Sequence, residues 1–167
     1  MKSIAPWVCA AIFCGIAQGA TLDGTYELVP AKSDDIAAVI EKSTAKMNFI
    51  IRPIARGRLK KTNSAYDRIR ILRSPSQIEV AFDAAKPVQM SADGSVTSWT
   101  RADGEVFDVS AVWQDARLVQ SFQAKDGKRV NTFQLGEDGK ALRLDVVITS
   151  DRLPAPVSYS LTYKRAE

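Results

Sequence analysis

The sequence predicts a mainly β protein: a single antiparallel up-and-down β-barrel of about 8–10 strands, with a helical insert between strands 1 and 2. Three observations carry this expectation. Four Asp-Gly pairs, Asp93-Gly94, Asp103-Gly104, Asp126-Gly127 and Asp138-Gly139, punctuate the second half of the chain at roughly the spacing of one short strand. These residues tolerate the positive φ of tight hairpin turns, so each pair reads as a direct return from one strand to the next. The runs between them are rich in Val, Ile, Phe, Trp, Thr and Leu. Before residue 54, by contrast, apolar residues recur at helical steps of three, four and seven.

Residues 1–19 are expected to form a signal peptide. Lys2 supplies a positive start, Ile4 to Ala17 is almost wholly apolar, and Ala17-Gln18-Gly19 places small residues for cleavage before Ala20. Both cysteines, Cys9 and Cys14, fall inside this stretch, so residues 20–167 hold no thiol and no disulfide. The expectation is an exported protein, periplasmic rather than extracellular, with 20–167 as one barrel domain large enough to bury its own core.

Residues 22–29 read as the first strand. Ile36, Val39, Ile40, Met47, Ile50, Ile51 and Ile54 then share one helical face, with Ser33 as N-cap and Asp34 and Asp35 complementing the helix dipole. Pro53 should break the run and suits the first turn of a second helix, which gives helices at 33–51 and 54–62. Strands are expected at 67–73, 77–82, 87–91, 95–101, 105–113, 117–124, 129–135, 141–149 and 157–164. Ser74-Pro75, Lys86-Pro87, Asp115-Ala116 and Pro154-Ala155-Pro156 supply the remaining turns. The last strand alternates: Val157, Tyr159, Leu161 and Tyr163 on one face, Ser158, Ser160 and Thr162 on the other.

One strand, a helical pair and then a meander is the order of the fatty-acid-binding protein fold. Leu22-Asp23-Gly24-Thr25-Tyr26 resembles the Gly-x-Trp opening shared by fatty-acid-binding proteins and lipocalins, with Tyr26 in the Trp position. The resemblance implies a ten-stranded calycin barrel with a helical lid over its mouth, Gly24 letting the chain bend and Tyr26 plugging the closed end. The family's last-strand Arg-x-Tyr clamp for a fatty carboxylate is not carried over, because Leu161 stands where the Arg belongs beside Tyr163.

The chain has no histidine, which removes Ser-His-Asp and Cys-His catalysis, most acid–base work near neutral pH and most zinc or copper sites. The Asp-Gly pairs lack the spaced carboxylates of a calcium loop, so neither metal nor cofactor is expected. A net charge of +4 with both signs interspersed, and no recognition motif, predicts no nucleic-acid partner. Trp99, Phe107, Trp113, Phe122, Phe133, Tyr159 and Tyr163 would either line an apolar cavity or fill a solid core. Ile50, Ile54, Arg56 and Arg58 are the candidates contributed by the lid. Arg52 to Lys61 carries five basic side chains that would meet an anionic lipid surface or an acidic protein, or form a solvated face. Arg117, Arg129 and Arg143 lie on consecutive strands, where an inward Arg would hold an anionic ligand group and an outward one a cross-strand charge pair.

These readings predict a non-enzymatic exported binding protein for an apolar or amphipathic, lipid-like small molecule, held in a barrel under a helical lid. The alternative is a protein-interaction module, an envelope-enzyme inhibitor or assembly factor, with a filled barrel and a basic docking surface. A small enzyme using carboxylates, Tyr or Lys is the third reading.

Overall fold

The computed structural model describes residues 21–166, so the signal-peptide reading of 1–19 lies outside the described residues. Ten strands follow one another: β1 Gly24–Leu28, β2 Arg68–Arg73, β3 Gln77–Phe82, β4 Val88–Ser91, β5 Thr97–Thr100, β6 Val106–Gln114, β7 Arg117–Ala124, β8 Gly127–Leu135, β9 Ala141–Thr149 and β10 Val157–Arg165. All are paired antiparallel, in the order β4-β3-β2-β1-β10-β9-β8-β7-β6-β5. The ring therefore closes where β1 meets β10, and its one break is a seam between β4 and β5, which approach without a ladder. Alternation of large apolar and polar residues along each strand sends one set into the barrel and the other to water.

Asp103-Gly104, Asp126-Gly127 and Asp138-Gly139 return the chain into a paired strand as expected, whereas Asp93-Gly94 turns it across the seam between β4 and β5, which share no ladder. Gly94, Gly104 and Gly139 take φ of +83°, +87° and +65°, while the Asp before each keeps an ordinary negative φ. Its carboxylate accepts a backbone N–H two residues ahead: Asp93 from Ser95 at 2.8 Å, Asp103 from Glu105 at 3.3 Å, Asp138 from Lys140 at 2.9 Å.

The helical insert is two helices, α1 Ile36–Ser43 and α2 Arg52–Thr62. The first is much shorter than the period of the sequence predicts. Thr44 ends it, its hydroxyl donating to Ile40 O at 2.7 Å, and Asn48 then makes a tight turn by accepting from Ile50 N at 2.9 Å. Ile50 and Ile51 consequently lie on the surface, not on the buried face expected of them, while Ile36, Ile40 and Met47 are buried. Pro53 begins α2. The expected cap, Ser33, has another task. Asp35 caps α1 by accepting from Ala38 N, while Ser33 Oγ and the Asp34 carboxylate accept the Thr162 and Ser160 amides of β10. The root of the insert is thereby stitched to the last strand.

At the opposite end of the barrel a clasp joins the first strand to the last. Arg165 donates to Thr21 O at 2.6 Å, Asp23 O at 2.7 Å and the Tyr26 hydroxyl at 2.9 Å, and its guanidinium lies 5.0 Å from the centre of the Tyr26 ring. Gly24, at φ +150°, makes room, since a Cβ there would sit 2.5 Å from Arg165 Nη1. Arg165→Met keeps much of the side-chain bulk but removes these bonds, and should cost about 3 kcal/mol in urea unfolding, the range for losing several charge-assisted bonds. An unchanged midpoint would show that the clasp is ornamental.

Burial raises the phenol pKa of Tyr26, Tyr159 and Tyr163. In the unfolded chain these phenols ionise near pH ~10, so stability is intact below that pH and is lost as the pH climbs above it. Phenolate absorbance from these three residues should appear together with the loss of sheet circular dichroism. An ordinary titration of all tyrosines with the barrel intact would contradict their buried placement.

Candidate functional site

The barrel interior divides along its axis. The half remote from the helices is packed solid, with Tyr26, Ile71, Ile78, Leu118, Phe133, Leu142 and Tyr163 almost without exposure. The half beneath α2 holds a cavity of about 740 Å³. One face of α2, bearing Ile51, Ile54, Arg58 and Leu59, overlooks it. Trp99, Phe107 and Phe122 form one part of its wall, their ring centres 5.9, 5.8 and 6.2 Å apart in the edge-on and tilted contacts aromatic groups favour, and Tyr66 and Phe82, 4.6 Å apart, form another. A second groove, about 480 Å³, lies around Glu27, Arg68 and Asp83 and has none of this apolar wall.

The electrostatics of the cavity are one-sided. Seven of its nine charged lining residues are basic. The two acids are neutralised in place, Glu105 by Arg101 at 2.5 Å and Asp126 by Arg152 at 3.0 Å. Arg58, Lys86, Lys125, Lys128 and Arg129 have no ion-pair partner among the described residues.

Arg129 is the inward Arg of the three on the meander. It shares the interior face of β8 with Asn131 and Phe133. Its Nε donates to Asn131 Oδ1 at 2.9 Å and its Nη1 to Asn63 Oδ1 at 3.0 Å. The chain of amides continues inward: Asn131 Nδ2 donates to Gln120 Oε1 at 2.9 Å, and Gln120 Nε2 reaches Met90 Sδ at 3.4 Å. Asn63 sits just past α2, where its Nδ2 donates to the Leu59 carbonyl at 2.9 Å and so satisfies a free end of the helix. Tyr159 adds a hydroxyl donor to Asn63 Oδ1 at 3.3 Å. Every partner of the guanidinium is neutral, so its charge is solvated but not compensated.

The sequence candidates separate into two groups. Ile54, Arg58, Trp99, Phe107 and Phe122 come together around the cavity. Ile50 is exposed outside it, and Trp113 lies towards the packed end with the Arg73 guanidinium 4.9 Å above its ring. Phe133 and Tyr163 fill the packed half, and Tyr159 reaches the site only through its hydroxyl. Arg56 turns away from the cavity altogether. It forms an ion pair with Glu41 of α1 and donates to Thr44 Oγ1 at 2.9 Å and Glu41 O at 3.1 Å. Arg52 donates to Met47 O, and Lys60 joins Glu41 at 2.9 Å. Three of the five cations in the basic run thus hold the helical pair together, leaving Arg58 and Lys61 unpaired among the described residues. Asn63, Asn131 and Gln120 escaped the sequence reading, although Gln120 and Asn131 alternate in step with buried Phe122 and Phe133.

No protein-family model matches the chain, and no curated protein matches it in sequence. Solved structures match it through their shape. Human cRBP IV superposes with a TM-score of 0.55 at 16% identity, over 88% of this chain and 99% of that one. The fold is that of the fatty-acid-binding-protein type of calycin barrel. Echinococcus granulosus fatty-acid-binding protein 1 gives 0.53 at 11% identity, over 87% and 98%, and an abundant heat soluble (SAHS) protein from Ramazzottius varieornatus gives 0.61 at 8%, over 89% and 97%. At these identities the likeness is one of architecture.

The Arg56 contacts generate a prediction about the lid. Arg56→Gln should separate α1 from α2, raising amide exchange in both helices by about tenfold or more while exchange in β6 to β9 stays unchanged. Exchange unaltered in the helices would mean that apolar packing alone holds the pair.

Proposed function

We propose that the chain is a non-enzymatic, exported binding protein for an apolar or amphipathic, lipid-like small molecule, held in the barrel beneath α2. One observation carries the reading: a cavity of about 740 Å³ lined by five aromatic residues, Tyr66, Phe82, Trp99, Phe107 and Phe122, with the inward Arg129 guanidinium bonded to neutral partners alone. Cavities of this size, mostly apolar with a few placed polar groups, are the usual form of small-molecule sites. Among the structures that share the fold are a lipid binding protein from Caenorhabditis elegans and a fatty-acid-binding protein from Echinococcus granulosus, which supports the same class of ligand. Both carboxylates of the lining are held in ion pairs at the rim, which supports binding over catalysis. Export is argued from the sequence of residues 1–19 alone.

The placement of charge sharpens the ligand. An uncompensated guanidinium in a partly buried site favours an oxyanion, and the tail of an amphiphile would then run along Trp99, Phe107 and Phe122. Arg129 stands two residues from the start of β8, near the mouth, so the head group would rest at the neck of the cavity under α2 and not in the packed half. The filled barrel required by the interaction-module reading is disfavoured by the open space beneath the lid. Of the basic run, Arg58 and Lys61 remain for an anionic lipid surface or acidic protein, since the other three cations serve the helix pair.

Displacement of a fluorescent fatty-acid probe by a long-chain carboxylate and by the neutral alcohol of equal length tests this reading. The carboxylate should bind about tenfold more tightly, the worth of one charge-assisted bond, and Arg129→Gln should erase that preference while keeping alcohol affinity. If neither amphiphile displaces the probe, the cavity is not a lipid site. If Arg129→Gln leaves the preference intact, the head group lies elsewhere.

A further inference from the structure

The water side of the barrel is not uniform around its girth. Over β1 to β3 and β10 it carries ion pairs: Arg68 and Lys164 meet Glu27, and Arg70 meets Glu79. Over β6 to β9 the middle two rows of that side are nearly without charge. Val112 stands directly across from Val119, and Val130 directly across from Val147, which makes a valine stripe over four strands. The stripe shifts by one row between β7 and β8, where Val119 faces Thr132 and Ser121 faces Val130. The one charged residue in these rows, Asp145, is already held by Arg143 at 2.8 Å. Among the described residues outside the helical insert, five large apolar side chains are exposed. Four belong to this side: Val96 at 65%, Val106 at 56%, Val112 at 38% and Val147 at 39%. Gly94 presses on Val112, where an added Cβ would lie 2.8 Å from its Cγ1, so the turn brings Val96 to the end of the stripe.

Exposed apolar surface gathered on one rigid face marks a docking site, as scattered single residues do not. The charges that flank the stripe choose its occupant. Asp108 on β6 lies beyond one side of the stripe, and Arg117 on β7 lies beyond the other. Asp108 has no ion-pair partner among the described residues, and Arg117 reaches only Asp115, at 3.9 Å. We propose that this face packs on the same face of a second copy of the chain, about a two-fold axis that lies across the strands. The strands of the two copies then run in opposite directions, and the row of Asp108 lies over the row of Gln114 and Arg117. Each Asp108 comes within one strand spacing, ~4.8 Å, of Arg117 in the second copy, and the symmetry makes the contact twice. Lys128 comes opposite Gln134, so no cation is set directly over another. Two sheets packed face to face in near alignment interdigitate their side chains in this way. Four strands at ~4.8 Å and four rows at ~6.8 Å give roughly 500 Å² per copy, against about 800 Å² in a standard stable interface. The dimer is accordingly a weak one that dilution separates. Both cavity mouths stay free, because the face is on the flank of the barrel. The proposal goes beyond the small-molecule reading and stands without it.

Sedimentation velocity over a concentration series tests it. Wild type should be monomeric at about 1 μM and substantially dimeric at about 1 mM, as an undersized interface implies. Val112→Lys/Val147→Lys should move the midpoint of association to about tenfold higher concentration or more, because each lysine is pressed against an apolar face. Asp108→Arg and Arg117→Asp should each weaken association, and the two together should restore it, since the exchange rebuilds both contacts with their signs reversed. All four positions are exposed, so melting and fluorescent-probe displacement at about 1 μM should match wild type in every variant, which keeps this test separate from that of the cavity. Wild type that stays monomeric at about 1 mM, or a lysine variant that associates as wild type does, would overturn the proposal. So would a combined charge exchange that stays as weak as either single change, because the two copies would then not meet in the reversed arrangement.

Discussion

The pairing of β1 with β10 is the contact on which the remainder of the structure depends. Every other ladder joins strands that follow one another in the chain, or nearly so, and needs only a short turn. Even β1 and β2 are separated by just the helical insert. Tyr26 and Arg165, by contrast, lie 139 residues apart, and bringing them into register closes the longest loop in the protein. The Arg165 clasp therefore stands at the point of greatest entropic cost, where four polar and aromatic contacts converge on one guanidinium. The seam shows the contrast. β4 and β5 are neighbours in sequence joined by a turn through Gly94, yet they form no ladder, so the barrel tolerates an opening there but not between its ends.

Closure also decides where the helices can sit. The insert leaves β1 at Leu28 and returns to β2 at Arg68, so both its ends are fixed at the same rim. Ser33 and Asp34 then satisfy the Thr162 and Ser160 amides that β1 is too short to reach. A short first strand thus leaves two donors that only the root of the lid can accept, and the lid becomes a continuation of the sheet edge. From there α2 crosses the mouth with two separate stripes. Arg56 and Lys60 face α1 and Arg52 faces the link that follows it, at spacings of four, whereas Ile51, Ile54 and Arg58 face the cavity. One helix is anchored sideways and left open below.

The barrel was legible in the sequence because period-two alternation and turn chemistry are local signals. Strands 117–124 and 141–149 end where alternation stops. The helical segment was less legible, because Ile50 and Ile51 continue an amphipathic period that the Thr44 cap and the Asn48 turn override. Those side-chain bonds compete with the helix by about 1 kcal/mol each, and they leave no mark in a pattern of apolar spacing. Arg56 read as a surface cation for the same reason, since its partner Glu41 is fifteen residues away and meets it only once the helices fold back. The cavity was legible in its aromatic residues but not in its extent. Packed and open halves use the same residue types, and which rings fill space is set by their height along the axis: Trp99, Phe107 and Phe122 at the mouth, Phe133 and Tyr163 below.

The polar stripe explains why the upper half stays open. Filling it with apolar side chains would bury Arg129 without water or counter-charge, and an uncompensated guanidinium in a dry core costs several kcal/mol. The amides of Asn63, Asn131 and Gln120 satisfy the stripe's hydrogen bonds along one wall, yet none supplies negative charge. An open mouth lets water or an anion reach the charge that these amides leave uncompensated. Asn63 links this condition to the lid, because the oxygen that receives Arg129 belongs to the side chain that completes the end of α2. Arg129 uses two of its five N–H groups on Asn131 and Asn63, so the rest stay available to water or an oxyanion without disturbing either amide. Asn63 thus ties the polar wall of the neck, through Arg129 and Tyr159, to the end of α2.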